Sequence, residues 1–399
     1  MKALIAGGGI AGTVAAIALE KAGIEPIVFE SFSRGAEGVG AFLTLAVNGI
    51  DALGAISVDI AKLGGFATSR MALHRGNGHQ LAEFALGPRL PNGVVARTIK
   101  RSELYGSLRD EARGRGIQIQ YGRRIVDAQI SPSAKVIVQF GDGSRDEGDL
   151  LIGADGLRSR VRKIIDPEAP AARYLGLLNT GGYARNIKVA GSPGTMQMFF
   201  GKRCFFCYVP HPNGEVWWFA NPSRRKEPTR QELAAITAEQ WRAELCELFA
   251  KDTTPAVEII QATKEILTGW NSYDFPTVPA WHNERMIIIG DAAHAASPSS
   301  GQGASMAIED AVVLAKCLRD ESTIEDAFAA YEHVRRDGVE RIVAEGKKNG
   351  DGKTPGFFGR VVRELMLRLM FSRRPGRTEE SMAWIFEHHI DWESKTTAR

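Results

Sequence analysis

The sequence predicts an α/β fold in which a Rossmann-like domain is interrupted by a mostly antiparallel β-sheet domain and followed by C-terminal helices. Three observations predict this. An apolar strand, a glycine-rich turn and an alanine-rich helix open the chain. A fully apolar strand followed by a second glycine-rich loop recurs near residue 285. Between these two regions, residues 176–265 alternate in polarity and are rich in aromatic side chains, which is typical of antiparallel sheets.

The composition bounds the function. The chain has 399 residues, of which 44% are hydrophobic and 24% charged, so it can bury a sizeable core. Its 50 basic and 47 acidic residues leave a net charge of +3, which argues against a nucleic-acid partner and favours small-molecule chemistry. No apolar run reaches the roughly 18 residues of a membrane span. The N-terminus does not read as a signal peptide, so we expect a cytoplasmic protein.

The Rossmann-like elements are predicted from hydrophobic periodicity and turn signals. In chain order they are a strand at 2–6, a helix at 12–21, a strand at 26–30, a helix at 102–113, a strand at 117–121, a hairpin with its first strand at 136–140 and its turn at 141–143, a strand at 150–152, a strand at 285–289 and a helix at 304–318.

The intervening sheet is predicted from four alternating segments, at 195–200, 204–210, 215–221 and 257–263. The resulting division gives a discontinuous cofactor-binding domain, a substrate-binding sheet domain and a C-terminal helical segment. The first comprises residues 1–70, 95–170 and 280–345, the second residues 71–94 and 171–279, and the third residues 346–399.

The first glycine-rich turn has the spacing of a dinucleotide fingerprint. Gly7, Gly9 and Gly12 follow the first strand, where a tight turn, a close approach to a pyrophosphate and helix-on-strand packing each exclude a side chain. Glu30 ends the second strand, where a carboxylate accepts hydrogen bonds from ribose hydroxyls. An acidic residue there would repel a 2′-phosphate, so the sequence predicts a tightly bound FAD or NAD.

The segment at 285–311 favours FAD. Asp291 follows the buried strand at the edge where ligands bind in α/β sheets, and its carboxylate could hold the ribityl hydroxyls of a flavin. Pro298, Gly301 and Gly303 then form a loop that opens the next helix. The positive end of that helix suits the edge of an isoalloxazine ring that becomes anionic on reduction.

With these motifs the chain resembles the class A flavoprotein monooxygenases, the family of para-hydroxybenzoate and salicylate hydroxylases. A third family motif, Asp-Gly, reads GDLLIGADGLRSRVR at 148–162, and the resemblance covers residues 1–345. One departure is Ser305, where many members have asparagine. No thioredoxin-like extension follows, unlike in the longer members.

The resemblance implies further cofactor contacts. Asp155 and Gly156 would lie where FAD meets the nicotinamide, Arg101 near the ribityl and pyrophosphate, and Val126 and Arg34 near the adenosine. Ala304 would complete the loop beside the flavin. The implied activity uses NADPH or NADH and O2, through a C4a-hydroperoxyflavin, to hydroxylate or epoxidise an aromatic or polycyclic small molecule.

The aromatic sheet is the expected wall of the substrate pocket. Leu43, Met198, Phe206, Tyr208 and Trp218 are the predicted lining residues, although alternation allows only about half of the sheet's large side chains to face one side. The same alternation sends the neighbouring tryptophan to the opposite face from Trp218.

Catalytic candidates are fewer. Pro298, in the loop before the last helix, and the possible proton carriers Tyr208 and His294 are named for this role, with His211 as an unranked further candidate. No carboxylate pair or Ser/His/Asp set indicates hydrolysis.

Two other patterns receive structural interpretations. Cys204 and Cys207 lie three apart in a predicted strand, so their sulfurs point to opposite faces and no zinc site is expected. Residues 357–371 form a basic amphipathic pattern that we expect to pack on the protein itself, with membrane-surface contact as the alternative.

Other functions stay open at this stage. A flavin-linked reductase or dehydrogenase uses the same fold, and a non-catalytic flavin-fold binder is a further alternative. A flavin-dependent halogenase is disfavoured because the tryptophans at 217 and 218 are adjacent rather than separated as a halogenase motif requires. The sequence does not predict the oligomeric state.

Overall fold

The computed structural model describes residues 1–33, 41–351, 353, 383–386 and 388–396. The strands of this part, in chain order, are β1 (Lys2–Ala6), β2 (Glu25–Glu30), β3 (Phe42–Leu45), β4 (Phe66–Ala67), β5 (Arg70–Arg75), β6 (Gln80–Ala85), β7 (Arg97–Lys100), β8 (Gln118–Tyr121), β9 (Ile125–Ile130), β10 (Val136–Phe140), β11 (Arg145–Gly148), β12 (Leu150–Gly153), β13 (Arg173–Ala184), β14 (Thr195–Phe200), β15 (Phe205–Pro210), β16 (Val216–Asn221), β17 (Thr263–Ile266), β18 (Trp270–Asp274) and β19 (Met286–Ile288).

The α-helices lie between these strands or follow them, and several are consecutive in the chain. The longer ones and the short turns of α-helix are α1 (Ile10–Lys21), α2 (Val47–Ala55), α3 (Arg101–Gly114), α4 (Arg160–Ile165), α5 (Arg230–Ala234), α6 (Ala238–Phe249), α7 (Ala256–Gln261), α8 (Asp291–His294), α9 (Gly303–Asp320) and α10 (Ile324–Asp351). Short 3₁₀ turns occur at Ile60–Leu63 and Pro298–Ser300. Within the described residues, no helix is long and apolar enough to cross a membrane.

A parallel sheet in the order β19-β12-β1-β2-β8 forms the Rossmann-like part. The central strands β1 and β12 are almost entirely apolar and buried because helices cover them, whereas the edge strand β8 is partly polar and is not buried. The helix α1 packs extensively against α9. The carboxyl ends of parallel strands meet at one edge of a sheet. That edge therefore gathers Gly7, Glu30, Asp155 and Asp291, which follow or end four of its strands. The α/β fold with its Rossmann-like sheet is confirmed.

The large sheet runs in the order β17-β13-β16-β15-β14-β5-β6, with β18 paired to β13. Its pairs are antiparallel except for β14 with β5, so the sheet is mostly antiparallel as expected. The helices α6 and α7 pack their apolar side chains on one face. The other face turns toward the carboxyl edge of the parallel sheet, and the space between the two holds the cavity described below.

One predicted strand is wrong. Most of residues 257–263 belong to the helix α7, and the strand β17 begins only at its end. The apolar residues Ala256, Ile259 and Ile260 are spaced by three and four, and all three are buried in the same cluster as Leu245 and Phe249 of α6. Short apolar runs fit a helix or a strand equally well by pattern, and here packing on α6 decides.

The two neighbouring cysteines behave as the strand pattern predicts. Cys204 is buried in the cluster under α6, while Cys207 belongs to a separate cluster on the other face of the sheet. Both thiols are free, and burial raises the pKa of each. The amphipathic pattern at 357–371 lies outside the described residues.

Candidate active site

A cavity of about 1990 Å³ lies between the carboxyl edge of the parallel sheet and the cavity-facing side of the large sheet. Its lining falls into three groups. One is the glycine turn after β1 with the end of β2, the second is the loop before α9, and the third is the apolar face of the large sheet. The cavity therefore joins the predicted dinucleotide site to the predicted substrate domain without a break.

The three fingerprint positions are glycine for different structural reasons. A Cβ atom at Gly7 would lie 2.5 Å from the carbonyl oxygen of Ala154, and one at Gly12 would lie 1.9 Å from that of Gly7, so neither position accepts a side chain. A Cβ at Gly9 would lie 3.6 Å from the Tyr105 ring, an ordinary contact. Gly9 lines the cavity, whereas Gly12 lies behind the turn. Gly9 is thus the glycine whose absent side chain leaves room for a ligand.

The carboxylate of Glu30 is held in place at the cavity edge. One of its oxygens accepts the backbone N–H of Gly8 at 2.9 Å, and the other accepts that of Phe32 at 2.9 Å. These bonds fix the carboxylate beside the glycine turn, at the cavity that Glu30 lines. Arg34 lies outside the described residues, so its predicted contact stays a prediction.

Two carboxylates, those of Asp155 and Asp291, line the cavity. Asp155 accepts the backbone N–H groups of Arg160 and Val161 with one oxygen, at 2.7 and 3.2 Å, while its Oδ1 is buried without a hydrogen-bond partner in the described part of the protein. Burial raises the pKa of Asp155. Burial also raises the pKa of Asp291, and the positive charge of the nearby Arg101 partly offsets this increase. The buried Oδ1 of Asp155, which has no partner among the described residues, indicates that a ligand completes this site.

The loop before α9 presents backbone groups to the same space. Pro298 begins a 3₁₀ turn, Gly301 has a φ of +65°, and Gly303 opens the 18-residue helix α9. These residues and Ala304 line the cavity, so the positive end of a long helix faces it. Gly156, with a φ of +74°, faces the cavity from the opposite side.

Ser305 has a structural role. Its hydroxyl accepts the backbone N–H of Ala46 at 3.2 Å, and a Cβ at Gly49 would lie only 2.8 Å from its Cα. The side chain thus joins α9 to α2 and does not line the cavity. The replacement of the family asparagine changes helix packing rather than the cavity wall.

Val126 and His294, both predicted site residues, do not lie at the cavity surface. Val126 does not line it, although its carbonyl oxygen accepts a hydrogen bond from Arg160, whose side chain does. His294 is 3% exposed, packs against Trp281 and bonds Asp310 at 2.6 Å, so it lies behind the loop. Its predicted role as a proton carrier is corrected to a structural one.

Of the five side chains predicted to form the substrate wall, two line the cavity and three point away from it. Leu43 and Met198 line the cavity. Phe206, Tyr208 and Trp218 instead face α6 and are buried in the cluster of that side. Since side chains alternate along a strand, their neighbours point the other way, and the residues that line the cavity from this sheet include Met196, Met198, Phe200, Phe205 and Phe219.

Polar contacts fix this orientation. The indole N–H of Trp218 donates to the hydroxyl of Thr263 at 2.8 Å, and the hydroxyl of Tyr208 donates to the carbonyl oxygen of Ala190 at 2.9 Å. Burial raises the pKa of Tyr208 to about 12. The roles of Tyr208 in catalysis and of Trp218 in substrate contact are therefore wrong.

The sequence interpretation missed several lining residues. Lys353, just after α10, is buried beside the cavity, and Asn179 lines it from β13. Residues 384–386 of a C-terminal helical turn also line the cavity. We call the part of the cavity that is lined by these residues, Leu43 and the large sheet its substrate end. None of the missed residues belongs to a motif, and each reaches the cavity only through the path of the folded chain.

Comparison with known proteins identifies the chain. Residues 1–345 match the family described as "FAD binding domain". The chain belongs to this FAD-binding family. It is 30% identical over 375 residues to an aurachin C monooxygenase/isomerase of Stigmatella aurantiaca, covering 93% of this chain and 94% of that protein. It is 32% identical over 358 residues to an FAD-dependent urate hydroxylase of Klebsiella pneumoniae, covering 88% and 90%.

Solved structures of other proteins have the same fold. The Klebsiella pneumoniae protein HpxO in complex with FAD and uric acid superposes with a TM-score of 0.85 at 27% identity, covering 97% of this chain and 96% of that chain. A salicylate hydroxylase complex shares the fold, with a TM-score of 0.78 at 22% identity. The protein is therefore a flavoprotein monooxygenase whose cofactor is FAD and whose co-substrate is NADPH or NADH.

The residues present fit FAD. The cradle at Gly7 and Gly9 is open to a pyrophosphate, and Glu30 is fixed where ribose hydroxyls would bind. The Oδ1 of Asp155 has no hydrogen-bond partner within the described ranges. The cavity, at about 1990 Å³, also leaves room for a substrate beside the cofactor. When bound, FAD supplies hydride acceptance and the activation of O2.

Proposed function

We propose that this monooxygenase inserts one oxygen atom from O2 into a flat, largely apolar aromatic or polycyclic substrate bound between the loop before α9 and the large sheet. The observation that carries the proposal is the continuity of the cavity from the glycine turn to the apolar sheet face. The relatives support the substrate class, since their names include aurachin C and urate.

The composition of the substrate end favours an apolar ring system. Methionine and phenylalanine predominate among the large-sheet side chains that line the cavity, with Asn179 as a polar exception. Leu43 and residues 384–386 add further apolar surface. Such a surface excludes water from the reacting atoms, which protects reactive oxygen species from loss to solvent. Packing against this surface would also hold a flat substrate in one orientation, so that shape rather than charge positions the reacting carbon.

The protein groups around the cofactor have distinct proposed roles. Gly7 and Gly9 admit the pyrophosphate, Glu30 accepts the ribose hydroxyls, and Asp291 accepts the ribityl hydroxyls. Burial raises the pKa of Asp291, and the positive charge of the neighbouring Arg101 acts in the opposite direction. The backbone N–H groups at the start of α9, with Pro298 and Gly301 shaping the loop, stabilise negative charge on the reduced ring.

The domain division predicted from the sequence supports this arrangement. We propose that residues 1–70, 95–170 and 280–345 bind the cofactor, and that residues 71–94 and 171–279 bind the substrate. The parallel sheet takes its strands from the first set, and the large sheet draws on the second, with β5 beginning at the boundary.

The test uses isotopically labelled O2. The FAD-loaded enzyme is incubated with NADPH and a panel of aromatic and polycyclic phenols, and the products are analysed by mass spectrometry. One labelled oxygen atom per product molecule is expected. A product with no label, or consumption of NADPH without O2, would favour a reductase or dehydrogenase on the same fold.

A further inference from the structure

The helix α3 turns one stripe of polar side chains toward the cavity, beside the glycine turn. Arg101, Tyr105 and Arg109 are spaced by four residues, so they lie on one face of α3, and all three line the cavity. Tyr105 marks where this face meets the glycine turn, because a Cβ atom at Gly9 would lie 3.6 Å from its ring. The stripe therefore places one arginine a helical turn before the glycine turn and another a helical turn after it.

The position of Arg109 along the cavity follows from its neighbours. One turn further along α3, Arg113 donates to the hydroxyl of Tyr121 at 3.4 Å, and Tyr121 is the register partner of Glu30 in the parallel sheet. Side chains of a helix lean toward its N-terminus, so Arg109 leans toward Tyr105. Arg109 therefore lies between the glycine turn and Glu30, the carboxylate proposed to hold the ribose of the adenosine.

The guanidinium group of Arg109 lacks a partner in the part of the chain that the structure describes. Its Nε is buried there without a hydrogen-bond partner, as is that of Arg101, and neither arginine belongs to an ion pair between described residues. By contrast Arg115, near the end of α3, pairs with Glu111 at 2.8 Å and with Glu20 at 3.5 Å. Buried polar groups are nearly always hydrogen-bonded. The cavity face of α3 thus presents two guanidinium groups that an anionic ligand would complete.

The two arginines differ in how far their charge is already opposed. Arg101 lies near Asp291, and its positive charge acts against the raised pKa of that carboxyl group. Another cation that lines the cavity, Arg123, is paired with Asp142 at 2.8 Å. No such carboxylate faces Arg109 among the described residues. Arg109 therefore brings a positive charge to the glycine turn that the described part of the protein does not compensate.

The pyrophosphate of FAD fits this arrangement, since each of its phosphates carries a negative charge. The helix α1 follows Gly9 with no acidic residue in its first turn and no side-chain cap, so its first N–H groups are open to an anion. A guanidinium group binds phosphate oxygens through its paired N–H groups. With Arg101 on the side of Asp291 and Arg109 on the side of Glu30, each phosphate would meet one arginine.

We propose that Arg109 binds the adenosine-side phosphate of FAD and makes the affinity for the cofactor depend on that charge. This inference rests on the proposed function, because it assumes that the pyrophosphate lies at Gly7 and Gly9. Arg109 is a cofactor-binding residue in this scheme, although it belongs to none of the three sequence motifs.

The test compares two ligands that differ only by the adenosine-side phosphate. The cofactor-free protein is titrated with AMP and with adenosine, and dissociation constants are measured by isothermal titration calorimetry. Quenching of flavin fluorescence gives the dissociation constant of FAD for the same preparations. The wild-type protein is expected to bind AMP about tenfold or more tightly than adenosine, as a charge-assisted hydrogen bond implies. Added salt should weaken the binding of AMP and FAD but not that of adenosine.

Variants then assign the preference to the arginine. Arg109→Met removes the charge, so the dissociation constants of AMP and FAD should rise about tenfold while that of adenosine stays unchanged. Arg109→Lys keeps the charge and should retain part of the preference. The matched control is Arg113→Met, which removes the same charge from an exposed position of α3 that does not line the cavity and should bind all three ligands as the wild type does.

Three results would overturn the inference. These are a wild-type protein that binds AMP no more tightly than adenosine, an Arg109→Met variant that keeps the preference, and a variant whose affinity for adenosine falls as much as that for AMP. The last would mean that Arg109 only maintains the shape of the site. Failure of the proposed function is distinguishable, since it would appear as products without labelled oxygen while the preference of the wild type for AMP persists.

Discussion

Asp310 holds His294 through a hydrogen bond of 2.6 Å between Oδ2 and Nε2, and the same oxygen accepts the backbone N–H of Gly290 at 2.9 Å. Its other oxygen accepts Nε of Arg335 at 2.8 Å. Asp310 is fully buried on α9. This carboxylate therefore fixes the turn that carries Asp291 to the edge of the cavity, although it does not itself line the cavity.

Replacing Asp310 by Asn should destabilise the protein and weaken cofactor binding. The change leaves Arg335 and His294 buried with one fewer compensating charge, which costs about 3 kcal/mol or more of the free energy of unfolding. Urea unfolding measures the loss, and flavin absorbance measures occupancy. The matched control is Asp337→Asn, on the exposed side of α10, which should change the free energy of unfolding by less than about 0.5 kcal/mol. Equal stability of the two variants would contradict this role.

The pH dependence of stability should carry the signature of Asp310. Burial alone would raise its pKa, but His294 and Arg335 outweigh burial and lower the pKa from 3.8 to about 2. A carboxyl group whose pKa is lower in the folded state contributes stability that is present above pH 3.8 and is lost as the pH falls toward 2. Urea unfolding across the acidic range should therefore show a smaller decline for Asp310→Asn than for the wild type, and parallel curves would contradict the assignment.

Replacing Asp291 by Ala should produce a folded protein that binds FAD weakly. The Asp291 side chain is exposed at the cavity wall, so its removal should leave the stability of the cofactor-free protein nearly unchanged. The ribityl hydroxyls would lose a charged acceptor worth about 1.5–3 kcal/mol, which corresponds to a dissociation constant roughly ten- to a hundredfold higher. Titration of the cofactor-free variant with FAD measures this. Asp291→Asn keeps one acceptor oxygen and should fall between the two, and unchanged affinity in both variants would remove Asp291 from the site.

Two glycine variants should separate folding from cofactor binding. A Cβ at Gly9 meets only the Tyr105 ring at 3.6 Å, so Gly9→Val should fold, but its side chain would project into the space for the pyrophosphate. A Cβ at Gly12 would lie 1.9 Å from the carbonyl oxygen of Gly7, so Gly12→Ala should destabilise the fold itself. Thermal unfolding of the cofactor-free proteins and their flavin content give the two readouts. Normal flavin content in Gly9→Val would mean that the turn does not hold the pyrophosphate.

The Rossmann-like elements and their edge residues were predictable because their signals are local. The glycine spacing is itself a local pattern, and Gly12 is required by the nearby carbonyl oxygen of Gly7, although the contact that excludes a side chain at Gly7 is with the distant Ala154. The position of Asp291 follows from a buried strand that ends just before it. The buried strands read as continuous apolar runs, which few other structures produce. Cofactor chemistry could therefore be inferred before any tertiary contact was known.

The substrate end was less predictable because it depends on tertiary packing. Alternation correctly places Phe205 and Phe206 on opposite faces, but it does not indicate which face meets α6 and which meets the cavity. That choice follows from α7, which the sequence interpretation took for a strand. Lys353 reaches the cavity through the turn after α10, and no local pattern marks it.

The corrected orientation of the large sheet gives a prediction about coupling. Phe219 lines the cavity, whereas its neighbour Trp218 is fully buried on the opposite face beneath α6. Phe219→Ala should leave FAD bound but admit water beside the reacting atoms, so NADPH oxidation continues while product falls and the H2O2 released per NADPH rises. Trp218→Ala removes a ring stacked on Phe206 and the hydrogen bond to Thr263, which should cost about 3–5 kcal/mol of stability.

These two neighbours form a matched pair, because the same kind of truncation acts on opposite faces of one strand. The ratio of H2O2 released to NADPH oxidised is measured for both variants and the wild type at a temperature where all three are folded, which circular dichroism establishes. The ratio should rise for Phe219→Ala alone, while the unfolding midpoint should fall most for Trp218→Ala. A raised ratio in Trp218→Ala with tight coupling in Phe219→Ala would reverse the assignment of the faces. Tight coupling in both variants would mean that truncating this strand on either face admits no water to the reacting atoms. The strand would then not be what shields the reaction.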